Sequence, residues 1–511
     1  MNIVSLDPKF WHASASGHTH ARGCVFLPDG TMLSDAALAD YLDSATDAAA
    51  WHDRVKDLNG LFSAVRTCAD FSAAAVDPSR SYPLFFRKAD GEILIADTLD
   101  ALLRDGDKIS DEAALEYDRT GAPLDGKTLV EGISQVRPGT VLLADGSEKT
   151  FYTYLARPDE IVTRTDDELM AVMERIIGRL LKSVGDRQIV MPLSGGQDSR
   201  LIACTLKKLG AKNVVCYTAG RPRNEEITIS ERVAKQLGFE LHDIDTTTPE
   251  AMALIGTADP EFLSYVDYVG QGVNFTWVFE YVAISLLRKR GIIAPDAVFV
   301  PGRSADSNSG TQLRKCLVGR NDSVSSMTTK YLYDSFEYGH KGLRKTVLNT
   351  FRKDIEAGYE SWTVFQNYMF SNWMPYNLLN SCRAYAFFGY DHRLPFWDRE
   401  FMEFFRCIDY SQICDCSFYI NFVRNKVFAP MGVDFGPDAK PKSTYIIGAL
   451  RKRIKVFIPK RFHPASPLDP MAEFELTRGM ADELGGLYPR LKANIVMKDW
   501  YLARLREKLK K

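Results

Sequence analysis

The sequence predicts two domains: an N-terminal α+β unit made of antiparallel sheets, and a C-terminal α/β unit made of a parallel sheet with added helices. Three observations carry that expectation. Short apolar runs separated by turn residues fill the chain to about residue 155, and several of the turns are Asp-Gly, the dipeptide that favours tight hairpins. Past Arg157-Pro158-Asp159 the pattern changes to helically spaced apolar residues alternating with short continuous apolar runs, which is how parallel strands joined by crossover helices read. A chain of 511 residues is also too long for one ordinary core. The expected division is 1–155, 160–445 and a basic helical extension over 446–511.

The elements follow in order. Gly23 to Leu27, Leu61 to Val65, Tyr82 to Phe86, Ile93 to Ala96 and Thr140 to Leu143 read as strands, with helical segments near Asp35–Ser44 and Thr98–Leu103. Asp166 to Val184 places Leu169, Val172, Met173, Ile176, Ile177, Leu180 and Leu181 on one helical face. Ile189 to Leu193 is a short buried strand, and a helix is expected over Ser199–Leu209. Asn213 to Thr218 reads as a strand, Glu225 to Leu237 as a helix and Glu240 to Ile244 as a strand; after about residue 310 helical patterns dominate.

Composition narrows the functional classes. A formal charge of −2 gives no general pull towards nucleic acid or membrane. No apolar run reaches the roughly 18 residues of a membrane span, and the first residues lack the pattern of a secretory signal, so a cytoplasmic protein is expected. Nine scattered cysteines point to free thiols in a reducing compartment. The cluster Cys407, Cys414 and Cys416 has no second pair or nearby His at zinc-ligand spacing, and reads as buried thiols.

The chemistry lies in Leu193-Ser194-Gly195-Gly196-Gln197-Asp198-Ser199, where a buried strand feeds a Ser/Gly turn and a helix follows at once. The glycines are expected to let the backbone turn tightly and bring bare N–H groups against an anion, with the helix N-terminus adding partial positive charge. Ser194 and Ser199 supply hydroxyl donors for phosphate oxygens. Asp198 repels phosphate but suits the Mg²⁺ that accompanies a polyphosphate. The bland alternative is a glycine turn whose Asp caps a helix. No Lys follows the glycines, so this is not the ATP/GTP P-loop; it resembles the PP-loop of ATP pyrophosphatases.

From about residue 55 to 445 the chain resembles the asparagine synthetase family, including its β-lactam synthetase relatives. Gly302-Arg303-Ser304-Ala305-Asp306-Ser307 sits where that family carries a second acidic loop, which implies pyrophosphate contact at Gly302 and a metal ligand at Asp306. Arg383 and Tyr390-Asp391-His392-Arg393-Leu394-Pro395-Phe396-Trp397-Asp398 resemble a segment ending in the family's Pro-Phe-Leu-Asp. Lys440-Pro441-Lys442 resembles its Arg-Pro-Lys element. The resemblance implies catalytic roles for Lys442 and Asp391, ATP and Mg²⁺ as cofactors, and a carboxylate substrate that is adenylated and then attacked by ammonia or an amine. Leu58-Asn59-Gly60-Leu61-Phe62-Ser63 and Asp77 to Phe86 resemble the family's glutaminase domain and imply an Ntn-hydrolase-like sandwich, and Thr128 to Ile133 with Arg137-Pro138-Gly139 resembles its linker before the synthetase domain.

The pattern breaks in two places. Asn2 stands where a working glutaminase of that family has its nucleophilic cysteine, which implies an inactive glutaminase domain and nitrogen from free ammonia, a partner protein or an amine of the substrate itself. Arg303, Ser307 and Asp391 each replace an acceptor-site glutamate of the family, with Arg303 expected to meet an anionic substrate group. The alternatives left open are an intramolecular lactam-forming or uronamide-forming ligase and a non-catalytic ATP-binding scaffold. The basic run 450–461 reads as a solvated helix face, with contact to an acidic membrane surface as the alternative. A second copy of the chain is a further candidate partner.

Overall fold

A computed structural model describes residues 1–275, 277–313, 319–335, 344–436, 458 and 472–510. The N-terminal part holds two sheets. The first runs β1 (Asn2–Ser5), β8 (Glu92–Ala96), β7 (Phe85–Ala89), β9 (Ile133–Gln135). The second runs β11 (Glu148–Thr150), β10 (Thr140–Leu143), β6 (Ser72–Val76), β5 (Asn59–Thr67), β3 (Thr19–Phe26), β2 (His12–Ala13), with β4 (Met32–Ser34) also on β3. Alternation along the strands fixes the layers. Val65, Ala74, Val76 and Leu142 meet Phe86, Ile93 and Ile95 between the sheets. Ala64, Ala73, Ala75 and Val141 point the other way, onto helices α1 (Asp35–Asp43) and α2 (Ala48–Asp57).

Three expectations for this part need adjusting. The sheets are not purely antiparallel: β1 pairs with β8 in parallel, a pairing open to strands so far apart in sequence. The helix expected at Thr98–Leu103 shrinks to one 3₁₀ turn, Asp100–Leu102. Helix α2 was not anticipated, although Asp47 ahead of three alanines caps it by accepting from Ala49 and Ala50 N–H.

The second part is built on one parallel sheet in the order β14 (Glu240–Asp245), β13 (Val214–Gly220), β12 (Ile189–Pro192), β15 (Val298–Phe299), β16 (Asp391–His392). From β12 the chain steps outwards through α5 (Gln197–Lys208) to β13 and through α6 (Glu225–Leu237) to β14, then returns to the other side of β12 for β15 and β16. The strand order therefore reverses between β12 and β15, and a crevice opens beyond their carboxyl ends, where ligands bind in open α/β sheets. The amphipathic helix α4 (Asp166–Val184) leads in, with a Thr165–Glu168 capping box at its start.

Residues 472–510 are not an appendage. Leu476, Met480, Ile495, Trp500 and Tyr501 belong to the same apolar cluster as the sheet domain and part of the N-terminal unit. Helix Ala493–Lys508 lies close enough that the Tyr501 ring occupies the space a Cβ on Gly270 would need. The basic run 450–461 lies outside the described residues except for exposed Ile458. No helix among the described residues is long and apolar enough to cross a membrane.

Candidate active site

The loop after β12 and the loop after β15 meet at the strand-order reversal. Helix α5 begins at Gln197, two residues earlier than the sequence suggested, with Gly196 as its N-cap and no side chain on its first amides. Gln197, Asp198 and Ser199 thus form the first helical turn, at the positive end of the helix dipole, with no side-chain cap. The loop is braced internally: Ser199 Oγ accepts from Ser194 N at 3.1 Å and lies 3.1 Å from Ser194 Oγ, which in turn accepts from Gly196 N at 3.2 Å.

The glycines serve a different purpose from the one anticipated. Neither Gly195 nor Gly196 has a positive φ. Gly195 is needed for space, since a Cβ there would lie 2.9 Å from Glu226 Cα on α6. Gly302 is tighter still: its Cβ would sit 2.5 Å from Ser199 N and 2.7 Å from Ser199 Cα. The second loop therefore presses its backbone directly on the first turn of α5.

That contact brings the two carboxylates together. Asp306 lies in the short helix Ala305–Asn308, and its N–H donates to Asp198 Oδ2 at 3.2 Å. Tyr419 O–H, wholly buried and 221 positions along the chain, donates to Asp198 Oδ1 at 2.9 Å. Asp198 does cap a helix, but the one in the facing loop rather than its own. Burial pushes the Asp198 carboxyl well up, and the adjacent Asp306 carboxylate pushes it the same way. Neither acid has an ion-pair partner among the described residues. Ser304, just before, holds a left-handed backbone at φ 79°, local strain of the kind that clusters at functional sites.

Those features fit a magnesium ion. Mg²⁺ is typically held by one or two carboxylates plus phosphate oxygens, and Asp198 and Asp306 bring two carboxylates to one place. A self-sufficient protein cage is not offered, since no group of three or more His, Cys, Asp or Glu able to hold a metal occurs among the described residues.

Beside the loops lies a cavity of about 290 Å³, lined among others by Leu193, Ser194, Ser199, Gly302, Arg303 and Tyr385. Its floor carries an ion pair between Arg303 and Glu280. Glu280 holds the Arg303 guanidinium firmly charged against the opposing effect of burial. Arg303 is thus already neutralised, and does not stand as the free cation the sequence suggested. Among the described residues, Glu280 Oε2 and Trp277 Nε1 are buried with no hydrogen-bond partner.

Leu193, Ser194, Gly195, Gly196, Gln197, Asp198, Ser199, Gly302 and Asp306 all converge here. Asp391 does not. Its register, Ile189↔Val298↔Asp391, puts it where the strands begin, at the opposite edge of the sheet, paired with Arg187 at 2.8 Å. A catalytic role there is not supported by position. Lys442 lies outside the described residues. Sequence reasoning missed Tyr419, Glu280 and Arg200, whose guanidinium ties Gly195 O (2.9 Å) to Val433 O (3.0 Å) and Phe435 O (2.6 Å). Only an Arg two positions after Asp198, in a helix turn otherwise buried, hinted at the last. Cys416, from the cysteine cluster, is a buried thiol that lies against Ser309 Oγ at 2.9 Å, its pKa pushed up to about 12 by burial.

Residues 174–414 match the asparagine synthase family model. Among curated proteins, the GMP synthase [glutamine-hydrolyzing] of Shewanella sp. (strain ANA-3) is 27% identical over 188 residues, 33% of this chain and 35% of that protein. The GMP synthase of Pseudoalteromonas atlantica is 28% identical over 134 residues, 22% of this chain and 26% of its own length. The chain thus spans between 18% and 35% of the length of such curated relatives. Among solved structures, an NH3-dependent NAD synthetase from Campylobacter jejuni aligns with 38% of this chain and 85% of its own at 14% identity, with a TM-score of 0.22, a value at which the likeness supports no structural inference.

Proposed function

We propose that the chain is an ATP-consuming, AMP-forming amide ligase of the PP-loop type. The carrying observation is the approach of Asp198 and Asp306 at the strand-order reversal, directly above the uncapped start of α5. The match of residues 174–414 to the asparagine synthase family supports the same reading.

In this reading the first-turn amides of α5 and the Ser194 and Ser199 hydroxyls bind the departing pyrophosphate. Asp198 and Asp306 are the residues that would hold Mg²⁺, which supplies charge neutralisation on the polyphosphate. A substrate carboxylate oxygen attacks the α-phosphorus, the bond to the β-phosphate oxygen breaks and pyrophosphate leaves. An amine or ammonia then attacks the acyl carbon, AMP departs and the nitrogen loses its surplus proton. Lys442 is assigned the charge on the adenylate. The chain's own contribution is positioning and preorganised hydrogen bonding. The N-terminal unit is read as a glutaminase-like domain without that activity, Asn2 offering no nucleophile and donating instead to Glu92 Oε2.

The test is product analysis. Purified chain with ATP, Mg²⁺, ammonia and a panel of carboxylic acids should release AMP and pyrophosphate in equal amounts with an acid that is a substrate. The mass of the product then tells ammonia addition from internal loss of water. Release of ADP and phosphate instead would overturn the ligase reading, and hydrolysis of added glutamine as fast as synthesis would overturn the reading of Asn2.

A further inference from the structure

A second cavity, of about 450 Å³, lies between the two domains, lined by Lys9, Phe10, Arg22, Cys24, Asp35, Tyr82, Arg187, Asp391 and Arg393 among others. It opens where the parallel strands begin, at the edge of the sheet opposite the loops after β12 and β15. It is no part of the ligase crevice, and the proposed reaction makes no use of it.

The charges in this cavity are unequal in availability. Arg187 is committed to Asp391 (2.8 Å), Val184 O (3.1 Å) and Ser183 O (2.9 Å). Arg393 is committed to Ser183 Oγ (3.0 Å) and His392 O (2.9 Å), with Asp391 at 3.8 Å. Asp35 accepts from Gly23 N and lies 4.0 Å from His12. Arg22 and Lys9 remain: neither has an ion-pair or side-chain hydrogen-bond partner among the described residues. Arg22 is nevertheless held in place, its guanidinium 4.2 Å from the Phe10 ring and 4.2 Å from the Tyr82 ring. With rings flanking it, the guanidinium is left its edge N–H groups, the donors that form bidentate bonds to carboxylate or phosphate. Lys9 Nζ lies near Phe10 too, 5.1 Å from its ring, and 3.5 Å from where a Gly389 Cβ would be, so it spans from the N-terminal unit to the sheet domain. A cavity of a few hundred Å³ with convergent polar groups and an aromatic wall is the usual build of a small-molecule site.

We propose that this interdomain cavity is a second ligand site, for a small oxyanion, phosphate ester or carboxylate, gripped in plane by Arg22 and joined by Lys9. The ligand would be bound in addition to ATP, at a place from which it touches both domains.

Calorimetric titration of the full chain tests this. The chain is kept free of Mg²⁺, nucleotide and other phosphates, and the variants, both outside the ligase crevice, report where binding occurs. Inorganic phosphate is then titrated in one arm and citrate in the other, which separates phosphate from carboxylate preference. Binding is expected to persist in at least one arm, to weaken tenfold or more in Arg22→Gln and about threefold in Lys9→Gln. Lys9→Gln should keep the wild-type urea midpoint, its side chain being exposed, and Arg22→Gln, which loses the contacts to both rings, should lower it slightly while the chain stays folded. Absence of binding in both arms would overturn the proposal. So would equal binding by wild type and both variants.

Discussion

The close approach of Gly302 to the first turn of α5 leads to the sharpest expectation. In Gly302→Ala the new Cβ would start 2.5 Å from Ser199 N, 2.7 Å from Ser199 Cα and 3.0 Å from Asp198 C. Ordinary van der Waals contact to such atoms begins near 3.4 Å, so the loops must separate by about 1 Å. All three atoms are backbone, in a helical turn already tied by Ser199 to Ser194, so no side chain can swing aside. Overpacking of this kind costs about 1–3 kcal/mol. A 1 Å separation also stretches the Asp306 N–Asp198 Oδ2 bond from 3.2 Å past the range of a hydrogen bond. Gly302→Ala should therefore lower the urea midpoint and also weaken the stabilisation that Mg²⁺ and ATP give in a thermal melt. Gly178→Ala is the control: that glycine lies inside α4 with nothing within 4 Å of a Cβ, and the change should stabilise by about 0.5–1 kcal/mol. If Gly302→Ala keeps both the midpoint and the nucleotide response of wild type, the two loops do not meet as described and the Asp198–Asp306 site fails with them.

Asp198→Asn should raise the melting temperature of the nucleotide-free chain, because burial and Asp306 disfavour its charge, while reducing the extra stabilisation by ATP that depends on Mg²⁺; a fall in both would refute the electrostatic account. Truncating Arg303 to Met leaves Glu280, whose side chain is 10% exposed, without its partner and should cost about 3–5 kcal/mol; the double change with Glu280→Gln should recover part of that in urea unfolding, and additive losses would deny the pairing. His392 is 2% exposed, neither ring nitrogen has a hydrogen-bond partner among the described residues, and burial together with nearby Arg393 holds its pKa down to about 3. The unfolded chain therefore takes up this proton first, so stability is intact above pH 6.5 and falls with pH below it, by about 2 kcal/mol at pH 5; His392→Phe should flatten that part of the profile, and an unchanged slope would place the titration elsewhere.

The strand–loop–helix unit around Asp198 was legible in the sequence because everything that shapes it is local: a short apolar run, two small residues and a helix of good periodicity. The same holds for α4, α6 and β12, whose bounds follow from apolar spacing and caps within a few residues. Asp306 was legible only through resemblance, since nothing within its own loop marks it. Tertiary structure decided the rest. It gave Asp198 its hydrogen bond from Tyr419, made Gly195 and Gly302 requirements of space rather than of backbone angle, neutralised Arg303 with Glu280 and carried Asp391 to the far edge of the sheet. The physical reason is range: turn preference and helical period act over a handful of neighbours, whereas which carboxylate is buried, which cation is spoken for and which glycine is crowded depend on contacts made hundreds of residues away once the chain has packed.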